Sequence, residues 1–216
     1  MKRLLACMAL TLVAAAPARA IDPANLNLIT FENRTGQDIR YIFLSPSDSE
    51  YWGTDILGST RLLGDDDELG FYIHYPDKCN EFDIFAIGES DEAFQVFGYE
   101  ICDGKEAKVR FTRRNLDEQG ADFNFTTVTL ENATDYELWY IFFSPGDSNM
   151  WGVDQLDEET ILEPGEAVSL LLPVSDESVR YDVRAIDEDE DTYTFFVEID
   201  PSKDEHIYSI ENSDLD

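Results

Sequence analysis

The feature that most constrains this chain is a block it carries twice. Residues 41–57 read Y-I-F-L-S-P-S-D-S-E-Y-W-G-T-D-I-L, and residues 140–156 read Y-I-F-F-S-P-G-D-S-N-M-W-G-V-D-Q-L, 99 positions later and without a gap. Comparing 31–58 with 130–157 leaves 14 of 28 positions identical. Further on, Asp83-x-x-Ala86-Ile87 still matches Asp182-x-x-Ala185-Ile186. A duplicated unit of roughly 90 residues is the size of a domain, and two copies are too few to stack as a solenoid.

Each copy reads as a series of short strands. In the first, apolar or alternating runs fall at 27–32, 38–44, 61–63, 68–74, 81–87, 93–100 and 106–112, separated by Gly, Pro, Asn and Asp clusters. The second repeats them at 126–131, 136–143, 160–162, 167–172, 180–186, 192–199 and 206–210. The stretch 38–44 is apolar at both odd and even positions, which predicts a strand covered on both faces. Helical periodicity never lasts three turns. The expectation is an all-β protein of two tandem seven-stranded antiparallel β-sandwich (Ig-like) modules. Its boundaries fall at 1–20 for a signal peptide, 21–114 for the first module, 115–124 for a linker and 125–216 for the second module.

The compartment follows from the first twenty residues. Met1-Lys2-Arg3 is a basic head, residues 4–16 are apolar but too short to span a bilayer, and Pro17-Ala18-Arg19-Ala20 has the small-x-small form of a cleavage site. A secreted or periplasmic protein is predicted, with no membrane insertion of the mature chain. Cleavage would remove three basic residues and no acidic one, moving the formal charge from −32 to −35. Such a chain lacks the basic footprint that displaces counterions from phosphates, so nucleic acid is excluded as a partner. The acidity leaves three readings: solubility in salt, divalent-cation binding, or attraction to a basic partner. Apolar residues at 43% and aromatics at 12% are enough for real cores. Cys7 leaves with the signal, so Cys79 and Cys102 remain as a pair. In an exported chain they predict a disulfide, which contributes roughly 3 kcal/mol by constraining the unfolded state.

Candidate chemistry concentrates in the repeated loop. Ser-Pro ends the strand, Asp48/Asp147 or Ser49/Ser148 can cap a helical turn, Trp52/Trp151 can pack down on the core, Gly53/Gly152 permit a tight reversal, and Asp55/Asp154 can accept backbone N–H groups. The same residues, a tryptophan beside carboxylates, would also suit a glycan or a cation. Two acidic turns, Asp65-Asp66-Asp67 and Asp187, Asp189 and Asp191, are dense enough in oxygen ligands for Ca2+, although neither is an EF-hand loop. His74 and His206 sit at non-equivalent positions, and no G-x-S-x-G or phosphate-cradling glycine motif occurs. Asn33-Arg-Thr35 and Asn132-Ala-Thr134 have glycosylation-sequon form and equally fit a turn after the first strand.

The pattern N-x-T…S-P-S-x-S-x-x-W-G-x-D-x-L…C…C, here in two tandem copies, resembles a group of small, uncharacterised exported bacterial proteins. The resemblance covers residues 31–102 and 130–199, and W-G-x-D-x-L is its most specific part. The second copy departs from it by lacking both cysteines. The resemblance implies an export compartment and a module, and no activity. The reading is a non-catalytic binding or structural protein with no cofactor, whose partner is a protein or a glycan. The alternatives are a Ca2+-stabilised module and an acidic-residue hydrolase.

Overall fold

The computed structural model describes residues 23–59, 61–118, 120, 123–156 and 160–216. The signal-peptide segment 1–20 lies outside the described residues. No α-helix occurs among them. The first half carries β1 (Asn27–Arg34), β2 (Ile39–Pro46), β3 (Glu68–His74), β4 (Cys79–Gly88), β5 (Ala93–Cys102), β6 (Ala107–Thr112) and the two-residue β7 (Leu116–Asp117). The second carries β8 (Asn124–Ala133), β9 (Leu138–Pro145), the short β10 (Gly152–Val153), β11 (Ala167–Val174), β12 (Val179–Asp187), β13 (Thr192–Ile199) and β14 (Glu205–Glu211).

The strands form four sheets, ordered β10-β3-β1-β6, β2-β4-β5-β7, β11-β8-β14 and β13-β12-β9. Pairings recur at the sequence offset: β1 opposes β3 as β8 opposes β11, and β2 opposes β4 as β9 opposes β12. The sheets are not purely antiparallel, as expected from sequence, because β1 runs parallel to β6 and β8 parallel to β14. β6 follows β1 only after the chain has passed through β2 to β5, and a connection this long is what a parallel neighbour requires.

Alternating residues fill the space between sheets. In the first half Ile29 and Phe31 of β1, Ile42 of β2, Phe71 of β3, Ile84 of β4 and Phe111 of β6 are buried together, with Phe31 edge-on to Phe71 and stacked on Phe111. A second core joins Val128, Leu130, Ile141, Tyr181, Val183 and Ile210. β2 is indeed buried on both faces: Ile42 and Leu44 face the core, while Phe43 belongs to a separate cluster with Phe85, Ile87 and Ala93.

The segments 61–63 and 160–162 are not strands. Each contributes one bridge, Ile39 to Leu63 and Leu138 to Leu162. The next hydrogen-bonding partners are side chains. The Asn33 amide donates to the carbonyls of Gln37 and Leu63, and its Oδ1 accepts from the Thr35 N–H and hydroxyl. Asn132 makes the same four bonds with Tyr136, Leu162 and Thr134. Both asparagines are fully buried with both amide hydrogens engaged, so N-x-T here is a turn device and not a glycan acceptor.

Cys79 and Cys102 are direct partners in the β4–β5 register and are disulfide-bonded. In the second half, the register that sets Val179 opposite Ile199 puts Ser178 and Asp200 next in line, with no sulfur. Leu116–Asp117, within the expected linker, pairs with β5. The end of the chain, expected as a solvated tail, is tied down: Leu215 bridges Tyr193, and Asp216 accepts hydrogen bonds from Thr192, Thr194 and Arg184.

Candidate functional site

The repeated loop is where the two halves meet. β10 adds to the edge of β3 by pairing Gly152 with His74 and Val153 with Ile73, and the Asp154 N–H donates to the Tyr72 carbonyl (2.9 Å). The first loop does the reverse, its Asp55 N–H donating to the Leu171 carbonyl of β11 (2.8 Å). Each loop therefore covers an edge strand of the other half, which would otherwise present unpaired backbone groups. Side chains follow the same reciprocity. Ser49 donates to Asp147 (2.7 Å), and Ser148 donates to Asp48 (2.9 Å). Asp147 also accepts the Glu50 N–H. Met150 and Val153 join the first core, while Tyr51 packs against the second. The Ser49 and Ser148 hydroxyls cap bends, through Tyr51 N and Met150 N, and no helical turn forms.

Asp55 and Asp154 play one backbone role in each half. Asp55 Oδ1 accepts from Ile42 N and Leu57 N, and Asp154 Oδ1 from Ile141 N and Leu156 N. The two glycines are required for different reasons. Gly152 has φ +71°, whereas a Cβ at Gly53 would lie 2.4 Å from the Leu44 carbonyl oxygen.

The tryptophans do not enter the main cores, because the loop carrying them crosses the outer sheet face. Trp52 is half-buried against Phe85 and Phe123, with exposed Phe97 beside it. Trp151 lies under the Arg184 guanidinium, 4.5 Å from its ring centre.

The acidic turns do not gather into a metal centre. Asp187 is 1% exposed and saturated: Oδ1 accepts from Asp189 N and Asp191 N, and Oδ2 from the Tyr193 hydroxyl. Asp66 is paired with Arg34, and Asp65 accepts from Gly36 N. Asp67 contributes its backbone, its carbonyl accepting from Asn33 N. Among the described residues, the one group of potential ligands close enough for an ion is Cys79, Glu100 and Cys102, whose sulfurs are bonded to each other. His74 and His206 stand on strands of different sheets, β3 and β14. Burial and the Arg184 charge push the His74 imidazole down to about 4, and His206 Nε2 sits 3.2 Å from the Asp200 carbonyl.

One cavity at the seam is lined from both halves. It measures about 370 Å³; Arg40, Tyr41, Asp55 and Arg61 face Thr127 and Ser169 across it. Asp55 is 1% exposed, and its Oδ2 is buried without a hydrogen-bond partner. Burial pushes its carboxyl up to about 7, against the pull of the Ile42 and Leu57 N–H groups and the Arg61 charge. Arg40 pairs with Asp91 and lies over the Tyr41 ring at 5.5 Å, yet its Nε is also buried without a partner. Arg61 donates to the Ile56 and Leu57 carbonyls, holding the loop beside Asp55. At the offset, Arg40 and Arg61 correspond to Trp139 and Thr160, so the two-arginine lining is not repeated. A second depression, about 430 Å³ beside the disulfide, is lined by Asp48, Glu81 and Glu100, and none of the buried unpartnered atoms borders it.

Sequence reasoning singled out Asp55 and missed Arg40 and Arg61. It searched for what the copies share, and these bases are where they differ. The available signal was scarcity: 15 basic residues against 47 acidic ones make two arginines within a few residues of the loop conspicuous.

No protein-family model matches the chain, and no curated protein matches it. Among solved structures, a family CBM26 domain, CBMbc of Eubacterium rectale Amy13K, determined in complex with maltoheptaose, aligns over 86% of this chain and 92% of its own. Identity is 10% and the TM-score 0.24, values too low to carry an argument about fold or ligand.

Proposed function

We propose that this chain is a non-catalytic exported binding protein of two tandem β-sandwich modules, docked by mutual exchange of their W-G-x-D loops, with its binding site in the cavity at the seam. The observation that carries the binding reading is the cavity itself, about 370 Å³ and lined from both halves, two of whose lining residues, Arg40 and Asp55, each hold a buried polar atom without a partner. Buried polar groups are almost always satisfied, and exceptions concentrate where something else completes them. The tandem arrangement is supported by pairings that recur at the 99-residue offset, and export by the leader-like start and the Cys79–Cys102 bond. Among the described residues, no helix is long and apolar enough to cross a membrane.

The repeated loop serves docking in this reading. Its aspartates and serines bind backbone or the opposite loop, which leaves little of the motif to present to a ligand. A fragment library titrated against 15N-labelled protein should shift the amides of residues 40–41, 55–62 and 169–171. Shifts that cluster elsewhere, or none at all, would remove the seam as a binding site.

A further inference from the structure

We propose that the face of β4 and β5 carrying the disulfide is a Zn2+ site that the sulfur–sulfur bond keeps closed. Once Cys79 and Cys102 are reduced, their two thiolates and the Glu100 carboxylate take up one ion, with Glu81 as the fourth ligand. The site is separate from the seam cavity and does not depend on it. One ligand atom from each of Cys79, Cys102 and Glu100 lies within 4.8 Å of the other two. The register sets Cys79 opposite Cys102 and Glu81 opposite Glu100. Side chains two apart on a strand share a face, so the four form a two-by-two array on one side of the ladder. Cys79, Glu81 and Glu100 are exposed and line the depression of about 430 Å³ together, so an ion reaches them from solvent.

The charges on this face favour a cation. Like charges directly opposite one another on paired strands are destabilising. Among the described residues, neither Glu81 nor Glu100 takes part in an ion pair. Asp48 lines the same depression and adds a third carboxylate. The second half supplies an internal comparison. There Ser178 and Asp200 stand in place of the cysteines, and Arg180, 99 residues after Glu81, faces Glu198. Where the sulfurs are absent the opposed pair is charge-balanced; where they are present it is doubly negative. Two thiolates with two carboxylates suit Zn2+, which takes four sulfur, nitrogen or oxygen ligands at the corners of a tetrahedron. With Zn–S near about 2.3 Å the sulfurs need stand only about 3.8 Å apart, within reach of side chains directly opposite on antiparallel strands. The chemistry balances with a dithiol as reductant. The sulfur–sulfur bond breaks, two thiols form, the reductant leaves as its own disulfide, and Zn2+ then displaces both thiol protons to solvent.

The test uses the full mature chain, reduced with a phosphine and titrated without oxygen. Co2+ is added first, because its thiolate charge-transfer and tetrahedral ligand-field bands report the ligands; Zn2+ follows and displaces it. The oxidised chain is expected to show neither band. The reduced chain is expected to show both, to saturate at one ion per chain and to lose the bands to Zn2+. Glu100→Gln and Glu81→Gln should each weaken binding about tenfold or more, while Glu198→Gln in the second half leaves it unchanged. Circular dichroism is followed in the same titration, and any sheet signal lost on reduction should return with Zn2+. The proposal is overturned by a reduced chain without the charge-transfer band, by saturation at one ion per two chains, by equal affinity in either first-half glutamate variant, or by a lost sheet signal that Zn2+ does not restore.

Discussion

Two positions 99 residues apart, Phe85 and Arg184, show how differently the two halves fill equivalent places in one strand pairing. Both sit in the middle of their sheet, Phe85 between Phe43 and Gln95, Arg184 between Phe142 and Thr194. Both lie against the tryptophan of their own loop. Around Phe85 the cluster is mostly aromatic, with Phe123 edge-on at 5.1 Å and Phe125 close by on Phe43, beside Ile87 and Ala93. Around Arg184, itself 1% exposed, a polar set takes over: Thr194 and Asp216 accept its hydrogen bonds. Backbone docking depends on loop geometry and is alike in both halves; the side chains filling the space beneath each tryptophan need only satisfy one another, and differ as sets.

The sharpest way to break that comparison is to exchange the two residues. Phe85→Arg buries a guanidinium among Phe43, Trp52 and Phe123 with no carboxylate seen beside it, and should cost more than about 4 kcal/mol in denaturant melts. Arg184→Phe strands Asp216 and Thr194 near the surface and should cost about 1–3 kcal/mol. Equal losses would mean that the two clusters are interchangeable.

The glycines come next. Gly53→Ala drives a Cβ into the Leu44 carbonyl and should cost about 4 kcal/mol, whereas Gly152→Ala strains a positive φ and should cost about 1–2 kcal/mol. The reverse order would show that loop strain outweighs close approach. Cys79→Ala with Cys102→Ala should lower stability by about 3 kcal/mol. Because each loop completes the other half's edge, unfolding should remain one transition; two resolved transitions in calorimetry would show that docking contributes little to either half.

The last test is the pH dependence of Asp55. Its folded pKa, about 7, lies above the unfolded value, so the folded state binds the extra proton between about pH 4 and 7. Stability is therefore greatest below that window and falls as pH rises through it, by at most about 1.4 kcal/mol per pH unit. The difference between wild type and Asp55→Asn should carry this slope, and a flat difference would mean that the Asp55 proton is not linked to folding.

Some elements were legible before any coordinates. The short apolar runs of the first half became β1 to β6, since alternation states which face is buried. Cys79 and Cys102 became direct partners because antiparallel strands place the start of one beside the end of the next. Segments 61–63 and 160–162 misled because each makes a single backbone bridge, at Leu63 or Leu162, whose carbonyl also takes an asparagine amide from 30 residues away, which no local pattern records. The tryptophan loop misled in a similar way. Packing onto its own core and crossing to a neighbouring half require the same tryptophan, glycine and aspartate.

Taken alone, the sequence determined the block repeated at a 99-residue offset, the all-β character and the cysteine pairing, because periodicity and spacing act over short stretches of chain. Only the tertiary structure decided that the loops cross between halves, that Asn33 and Asn132 are buried knots, and that Arg40, Asp55 and Arg61 line one cavity with Thr127 and Ser169. Those facts depend on which residues of one copy approach the other, and that is fixed by the packing of two surfaces at a seam.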